Sequence, residues 1–390
     1  MVKSGKRTAT AATRKPVKAN PIFFTVRRYS RGGAGLLLPP SAALLRKEAT
    51  PYMPIKTVMA DLNKNDYLGC VHRSYGINLE EDLVEDNESL ADRYRKKRDK
   101  VQVALENKFG SNIRCIQHSG SYAKHTAINI KFDMDLCVNF RRSAFTTLRA
   151  MYDDVLEYLE SDEFSDEVGD LTEVRAQKVS VGLFFLVDDE VLNFDITPGR
   201  RISDDDPSCF DLNLCLNDED SSGRMKTNIA KQIDHIKGRK KERETVKLLK
   251  AWKFEHFTKL KSFLLELLTI KSFDDKGEAN MPSGRWDRLK LTMEFIRDNI
   301  ETINLLDPGN SGNNVTNSLT DRQKKKLAKE MKRALKQIEA DSNKLKFYFP
   351  VNPRFPCEDK PKDKEPAKAS NRYEQNAAVK HTTYPATTYG

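Results

Sequence analysis

Long apolar runs are missing from this chain of 390 residues, and no segment approaches the roughly 20 consecutive apolar residues that a membrane span requires. Its six cysteines show no C-x-x-C spacing and no cysteine–histidine cluster. The spacing therefore gives no indication of a zinc site or of a disulfide framework. We expect a cytoplasmic protein, with no membrane partner, whose thiols are kept reduced.

Acidic residues are almost absent from residues 1–58. This segment holds twelve Lys or Arg against the single acid Glu48, a net charge of +11, whereas the whole chain carries +10. The rest of the chain is therefore close to neutral, which does not indicate nucleic acid as a partner, because a nucleic-acid-binding domain concentrates basic charge on its folded body. We expect residues 1–58 to be a basic disordered extension, either a targeting segment or upstream sequence from a misassigned start, with Met53 or Met59 as the true initiator.

Two carboxylates stand one residue apart in an otherwise apolar segment, IKFDMDLCVNF at residues 130–140. On a strand, Asp133 and Asp135 share one face, while Phe132, Met134 and Leu136 face the core. Two carboxylates this close repel each other unless a cation lies between them. Oxygen ligands on a rigid element suit Mg²⁺, with Mn²⁺ as the other candidate.

A Gly-Ser turn and a third carboxylate complete the pattern. Gly120 lets the backbone approach an anion, and Ser121 offers a hydroxyl and a backbone N–H to a phosphate. Asp195, in the apolar segment EVLNFDI at 190–196, supplies the further ligand that a two-ion site needs for an in-line displacement. The alternative is that D-x-D marks a surface strand edge or a calcium loop. The combination favours phosphoryl-transfer chemistry.

The segments quoted so far resemble the G-S…D-x-D…D signature of polymerase-β-like nucleotidyltransferases. Within that superfamily the chain is similar to the CD-NTase family, the branch with cyclic GMP-AMP synthase, bacterial dinucleotide cyclase and oligoadenylate synthase. The branch is identified by LLKAWK at 248–253, KSFLLELLT at 261–269 and LLDPGNSGNNV at 305–315. The resemblance spans about residues 85–355. Its bacterial character favours the misassigned start over a targeting segment.

The resemblance also implies nucleotide-binding residues beyond Gly120 and Ser121. Lys250 is similar to a family lysine that reaches the triphosphate, with a solvated helix lysine as the alternative. Ser262 matches a family serine near the phosphates, although a serine at a helix start is also a favoured N-cap. Asp307 lies in a loop that borders the nucleotide in the family, and the alternative there is an ordered turn between helices.

Periodicity divides the chain into a sheet-containing part and a helical part. Strands are predicted at 113–118, 130–139, 177–187 and 190–197, with helices at 88–109 and 144–160. From about residue 228 the pattern is helical, and Val246, Leu249 and Trp252 are predicted to face a core while Lys250 lies among the polar positions. Residues 305–318 are too rich in Gly, Asn and Pro for regular structure, and Thr320 begins a capping box with Gln323.

The expected fold class is therefore α/β (α+β), with a polymerase-β-like nucleotidyltransferase core and a small mixed sheet, joined to a C-terminal helical lobe like that of oligoadenylate synthase. The core is placed at 85–227 and the helical lobe at 228–355. A C-terminal tail at 357–390, rich in Lys, Glu, Pro, Ser and Thr, is expected to be disordered.

The expected activity is a two-metal nucleotidyl transfer that joins NTPs, ATP among them, into a cyclic di- or trinucleotide for anti-phage (CBASS) signalling. Asp133, Asp135 and Asp195 are the candidate catalytic and metal-binding residues. The resemblance implies a cyclic-nucleotide-activated effector and a ubiquitin-like partner that conjugates Gly390. The alternatives are a linear 2′-5′ oligonucleotide synthase, a nucleotidyltransferase that modifies RNA or protein, and a binding module without activity.

Overall fold

A seven-stranded mixed sheet occupies the first half of the computed structural model of this chain, which describes residues 61–77, 90–205, 211–217 and 223–357. Its strands are β1 (Ile113–His118), β2 (Asp133–Phe140), β3 (Leu171–Ala176), β4 (Val181–Val187), β5 (Glu190–Arg201), β6 (Leu212–Cys215) and β7 (Arg224–Thr227). They run in the order β1-β2-β5-β4-β3, with β6 beside β5 and β7 beside β6. The β2–β5 pair is parallel and the other pairs are antiparallel, so the sheet is mixed as predicted.

The described helices are α1 (Lys64–Ser74), α2 (Leu90–Phe109), α3 (Gly120–Ala123), α4 (Leu148–Leu159), α5 (Asp162–Val168), α6 (Ile229–Asp234), α7 (Lys240–His256), α8 (Ser262–Lys276), α9 (Arg285–Asn299), α10 (Asp321–Ala340) and α11 (Leu345–Tyr348). None of the described helices combines the length and apolarity of a membrane span.

One apolar core lies between the sheet and the helices packed on it. Met134 and Leu136 of β2 lie in it with Val101 of α2 and Val155 of α4, and all four side chains are fully buried. The alternation along β2 sends the residues between them, Asp133 and Asp135, to the opposite face. The sheet is thus covered on the face that the sequence predicted to be apolar, and its carboxylates face away from that core.

A second core joins the helices of the C-terminal half. Leu249 and Trp252 of α7 pack in it with Leu265 of α8 and Met331 of α10. Thr320 and Gln323 form the predicted capping box at the start of α10, which satisfies backbone N–H groups that a helix start leaves free. Helix α1, which no sequence pattern had indicated, also belongs to this core through Leu68 and Val71.

The segment after α9 departs from its prediction. Residues expected to be irregular form a short antiparallel hairpin of β8 (Leu306–Asp307) and β9 (Asn310–Asn314). Gly309 explains the unusual composition at its turn, because a Cβ there would meet the backbone of Asn228. Glycine and asparagine here permit a close approach of two backbone segments, so their abundance did not exclude regular structure.

A disulfide joins Cys70 in α1 to Cys357, across a sequence separation of 287 residues. The sequence had indicated no disulfide, since neither cysteine has a nearby partner along the chain. Tyr67 and Tyr75 of the same helix donate hydrogen bonds to the carbonyls of Phe349 and Pro350, at 2.8 and 3.1 Å. The C-terminal segment is therefore fixed to α1 by a covalent bond and by hydrogen bonds. The expectation that all thiols are reduced is therefore wrong for Cys70 and Cys357.

The predicted tails lie outside the described residues, except that Cys357 is described. The extension at 1–58, the two candidate initiators and the terminal Gly390 are likewise outside them.

Candidate active site

Three carboxylates converge on the face of the sheet opposite its core. Asp135 on β2 and Asp195 on β5 are direct neighbours in the parallel register, and Asp133 lies two residues earlier on the same face of β2. One oxygen from each of the three lies within 4.8 Å of the others. The parallel pairing of two strands distant in sequence thus gathers the three side chains that the sequence predicted as a group.

Gly120 lies against this group at the start of α3. Its φ of +59° is a left-handed backbone conformation that glycine adopts without strain. A Cβ built on residue 120 would overlap the Oδ2 atom of Asp135. The backbone N–H of Ser119 donates to the carbonyl of Asp135 at 2.9 Å, which fixes the turn to β2. Ser121 follows in α3, and its carbonyl accepts the N–H of Thr126 at 2.9 Å.

The electrostatics of the three carboxylates are those of like charges held together. Burial, together with the neighbouring Asp133 and Asp195, raises the pKa of Asp135 to about 8. Burial also raises the pKa of Asp133 and of Asp195, and the charge of Asp133 raises that of Asp195 further. Asp135 therefore holds a proton at neutral pH unless a cation neutralises the group.

This arrangement fits a divalent cation. Carboxylate oxygens are the donors that hard cations such as Mg²⁺ and Mn²⁺ take, and the spacing of these three allows them to share an ion. Raised pKa values in a compact carboxylate group are the expected cost of a site whose charge is balanced by metal. Asp133, Asp135 and Asp195 could thus hold the metal.

Gln177 orients the third carboxylate, and no motif in the sequence had drawn attention to it. Its Nε2 donates to Oδ1 of Asp195 at 2.9 Å, and its Oε1 accepts the hydroxyl proton of Ser180 at 2.8 Å. The backbone N–H of Gln177 donates to the carbonyl of Ser180 at 2.9 Å. The hydroxyl of Tyr152 donates to the backbone carbonyls of Gln177 and Ser180. The amide of Gln177 is therefore held at both ends, which fixes the direction in which Asp195 presents its other oxygen.

Lys250 is buried, in contrast to its predicted place among the polar positions of α7. Its side chain is 5% exposed, and its Nζ donates to the carbonyl of Thr126 at 2.8 Å. Burial lowers its pKa to about 8, while Glu266 and Asp133 act in the opposite direction. The polar periodicity failed here because Lys250 faces the segment between α3 and β2, where it places a cation near the carboxylates.

Lys253, one turn further along α7, was not singled out by the sequence. Its Nζ donates to the hydroxyl of Ser262 at 2.8 Å and to the carbonyl of Leu260 at 3.1 Å. Ser262 is the first residue of α8, and the N-cap is Lys261, so the capping role weighed for Ser262 is wrong. Burial lowers the pKa of Lys253, and the negative charge of Asp133 acts in the opposite direction. Lys253 and Ser262 therefore form one polar pair, and the second lysine of LLKAWK was the signal in the sequence.

Asp307 lies in the β8–β9 hairpin and is 7% exposed. Its carboxylate accepts hydrogen bonds from Nε2 of Gln232 at 3.0 Å and from the N–H of Gly309 at 2.8 Å. These contacts tie the hairpin to α6. They do not bring Asp307 into the group formed by the three other carboxylates.

Three solved structures are similar to this chain. The structure of CdnC from E. coli MS115-1 with ATP has a TM-score of 0.53 and 19% sequence identity, and the match covers 73% of this chain and 93% of that one. CdnC in complex with HORMA-deltaN, from the same strain, gives a TM-score of 0.49 at 23% identity and coverage of 67% and 86%. The CdnE cyclic dinucleotide synthase of Elizabethkingia meningoseptica, with GTP and Apcpp, gives 0.47 at 14% identity and coverage of 62% and 91%.

No protein-family model and no curated protein matches the sequence. The match to the ATP-containing CdnC structure extends over most of both chains and shows the fold. The expected mixed fold is confirmed, and the resemblance read from the sequence is confirmed at the level of the fold: this chain has the fold of E. coli MS115-1 CdnC.

Proposed function

We propose that this protein is a metal-dependent nucleotidyltransferase that joins NTPs into a cyclic di- or trinucleotide and releases pyrophosphate. The observation that carries the proposal is the convergence of Asp133, Asp135 and Asp195 on one face of β2 and β5, beside the turn at Gly120, in a CdnC-like fold. The ATP in the CdnC structure supports an NTP, ATP among others, as the substrate of this chain.

The metal site of this proposal is the carboxylate group. Bound at Asp133, Asp135 and Asp195, divalent ions, Mg²⁺ or Mn²⁺, would supply charge stabilisation and lower the pKa of the attacking ribose hydroxyl. Gln177 keeps Asp195 in a fixed orientation through its 2.9 Å hydrogen bond. Gly120 leaves room for the Asp135 carboxylate, because a Cβ at residue 120 would overlap that carboxylate.

Polar groups from three helices, α3, α7 and α8, bind the nucleotide in this proposal. Ser121 in α3 offers its hydroxyl and N–H to a phosphate. Lys253 near the end of α7 and Ser262 at the start of α8, joined by a 2.8 Å hydrogen bond, present a cation and a hydroxyl. Lys250 supplies a second buried cation near Asp133. Their joint role is to hold the triphosphate so that its α-phosphorus is in line with the acceptor hydroxyl. Asp307 takes a contact to the base or ribose.

The broader biology follows the same proposal. A core at 85–227 and a helical lobe at 228–355 would enclose the nucleotide site, and the cyclic product would activate an effector in anti-phage defence. The remaining elements of this proposal are a cytoplasmic location and conjugation of Gly390 to a ubiquitin-like partner. The conjugation is tested by changing Gly390 to a bulky residue in the presence of the neighbouring operon proteins.

The test of the activity is a product analysis. The purified protein and an Asp133→Asn/Asp135→Asn variant are incubated with all four NTPs and Mg²⁺ or Mn²⁺, and phosphatase-resistant products are resolved by mass spectrometry. We expect a cyclic product from the intact protein alone. Linear oligomers would replace the cyclase by an oligonucleotide synthase, and label found only on RNA or protein would replace it by a macromolecule-modifying enzyme. Equal activity of the variant would remove the carboxylates from the mechanism.

A further inference from the structure

A cavity of about 390 Å³ lies outside the carboxylate group, where α1 and the first half of α7 meet the segment that follows α3. Cationic and imidazole side chains dominate its wall, and one carboxylate accompanies them. The lining includes His72, His125, Lys241, Arg243, Glu244 and Lys247.

The one carboxylate of this wall is already neutralised. Oε1 of Glu244 accepts from Nε of Arg285 at 2.5 Å, and Oε2 accepts from Nη2 of Arg288 at 2.7 Å. Both oxygens are thus engaged by arginines of α9. Glu244 therefore offsets only part of the positive charge of the cavity, through its effect on Lys247 and His72.

Two cations of the wall, Arg243 and Lys247, differ from Glu244 in this respect. Nε of Arg243 is buried without a hydrogen-bond partner, which is a costly state for a guanidinium unless a ligand supplies the acceptor. Lys247 lies one helical turn further along α7 and shares the cavity with it. In the described part of the chain, Lys247 makes neither a hydrogen bond nor an ion pair.

The pKa values of four groups in the wall are lowered. Burial and the charge of Arg243 lower the pKa of Lys247, and burial lowers that of Arg243. Burial and the charge of Lys247 lower the pKa of His72 to about 4, and burial with Arg243 and Lys247 lowers that of His125. An anion in the cavity would relieve the repulsion between cations that lowers the pKa of Lys247, His72 and His125.

We propose that this cavity binds a small phosphorylated anion at a site separate from the carboxylate group. A guanidinium and an ammonium on one helix face match the oxygens of a phosphoryl group, and the neutral imidazoles add N–H donors. The volume lies in the range of sites for small ligands, and it accommodates a group of a few phosphates.

The cavity has a short structural connection to the nucleotide-binding groups. His125 is followed by Thr126, whose carbonyl accepts a hydrogen bond from the Nζ of Lys250. Lys247 and Lys250 are three residues apart, so they are neighbours on α7. A ligand on His125 and Lys247 would therefore contact the same two elements that position Lys250. The binding itself does not depend on the proposed catalytic activity.

The test measures binding of sodium tripolyphosphate by isothermal titration calorimetry, in EDTA so that no metal recruits the anion to the carboxylates. We expect one site in the full chain, and a loss of affinity of about tenfold or more in Arg243→Gln/Lys247→Gln. The matched control is Lys325→Gln/Lys329→Gln, which removes the same charge from the cationic face of α10. That control should bind as the unchanged protein does.

Three results would overturn the proposal. Equal losses in both double variants would show attraction to overall charge. Unchanged affinity in Arg243→Gln/Lys247→Gln, with loss in Lys253→Met, would place the anion in the proposed active site. Binding of a 20-base-pair duplex without binding of tripolyphosphate would make this face a nucleic-acid surface. Circular dichroism checks folding, and the exposed Lys241→Gln provides a variant of the same wall that leaves the buried groups intact.

Discussion

The backbone of Gly120 lies directly against the carboxylate of Asp135, and no side chain fits between them. The two residues belong to different elements, α3 and β2, and the N–H of Ser119 joins these elements by its bond to the Asp135 carbonyl. This contact couples the turn at Gly120 to the carboxylate group. A change in one is therefore a change in the geometry of the other.

Gly120→Ala should disable the site while the fold persists. The added methyl overlaps Oδ2 of Asp135, and the left-handed φ adds strain. We expect a loss of activity of about 100-fold or more, because an ångström of misplacement has that effect at a reacting centre. Gly110→Ala is the control, since Gly110 also has a positive φ but has open space at its Cβ position. Pyrophosphate release measures both, and similar losses in the two would attribute the effect to backbone strain alone.

Asp135→Asn should stabilise the metal-free protein at high pH. The raised pKa of Asp135, about 8 against an ordinary value near 4, means that the folded state binds its proton more tightly than the unfolded state. The stability of the unchanged protein therefore falls as pH rises from about 4 to about 8, while Asn at this position removes that dependence.

The measurement is thermal unfolding in EDTA at pH 5.5 and pH 8. The variant should gain about 2 kcal/mol on the unchanged protein between these pH values. Added Mn²⁺ should raise the melting temperature of the unchanged protein and leave the variant nearly unaffected, because ligands stabilise only a state that binds them. A variant that responds to Mn²⁺ like the unchanged protein would argue against metal at Asp135.

Gln177→Ala tests whether the hydrogen bond from Gln177 to Asp195 contributes to activity and to metal binding. The change removes the donor to Oδ1 and leaves the carboxylate free to rotate. We expect kcat to fall, or the Mn²⁺ concentration needed for half-maximal stabilisation to rise, by about 10- to 100-fold. Ser180→Ala removes only the far hydrogen bond of Gln177, and its effect should be smaller. A rise in the KM for NTP at unchanged kcat would instead make Gln177 a substrate contact.

His118→Gln should reduce the acid sensitivity of the fold. Burial, with the charge of Arg98, lowers the pKa of His118 to about 4, so the unfolded state takes up a proton at a higher pH than the folded state. Stability is therefore lost as pH falls from about 6.5 to about 4. Urea unfolding at pH 7 and pH 5 should show a loss smaller by about 1 kcal/mol in the variant. Equal losses would mean that His118 does not titrate in this window.

The strand pattern carried most of what could be predicted about the sheet and the carboxylates. Alternation in residues 132–136 assigns the faces of β2, because side chains on a strand alternate with period two. The apolar segment around Asp195 made it a candidate third ligand, but no local pattern could place it beside Asp135, since the pairing of β2 with β5 is a long-range contact. The structure brings these residues together, along with Gly120.

Other features could not be read from local patterns, for physical reasons that differ from case to case. Lys250 has a polar side chain and yet is buried, because the carbonyl of Thr126, in the segment between α3 and β2, accepts a hydrogen bond from its Nζ. Gln177 depends on a contact across 18 residues and belongs to no motif. The bond between Cys70 and Cys357 forms between the two ends of the described chain, at a separation that spacing rules do not cover.

That bond closes the chain into a covalent ring. A single cut by a protease anywhere between residues 70 and 357 would leave one molecule, which separates into two bands on a gel only after reduction. Probing the fold by limited proteolysis would miss such a cut without reductant. A fragment restricted to residues 228–355 lies wholly inside the ring and contains neither cysteine, so the helical half expressed alone would lose both the bond and the α1 helix that shares its core.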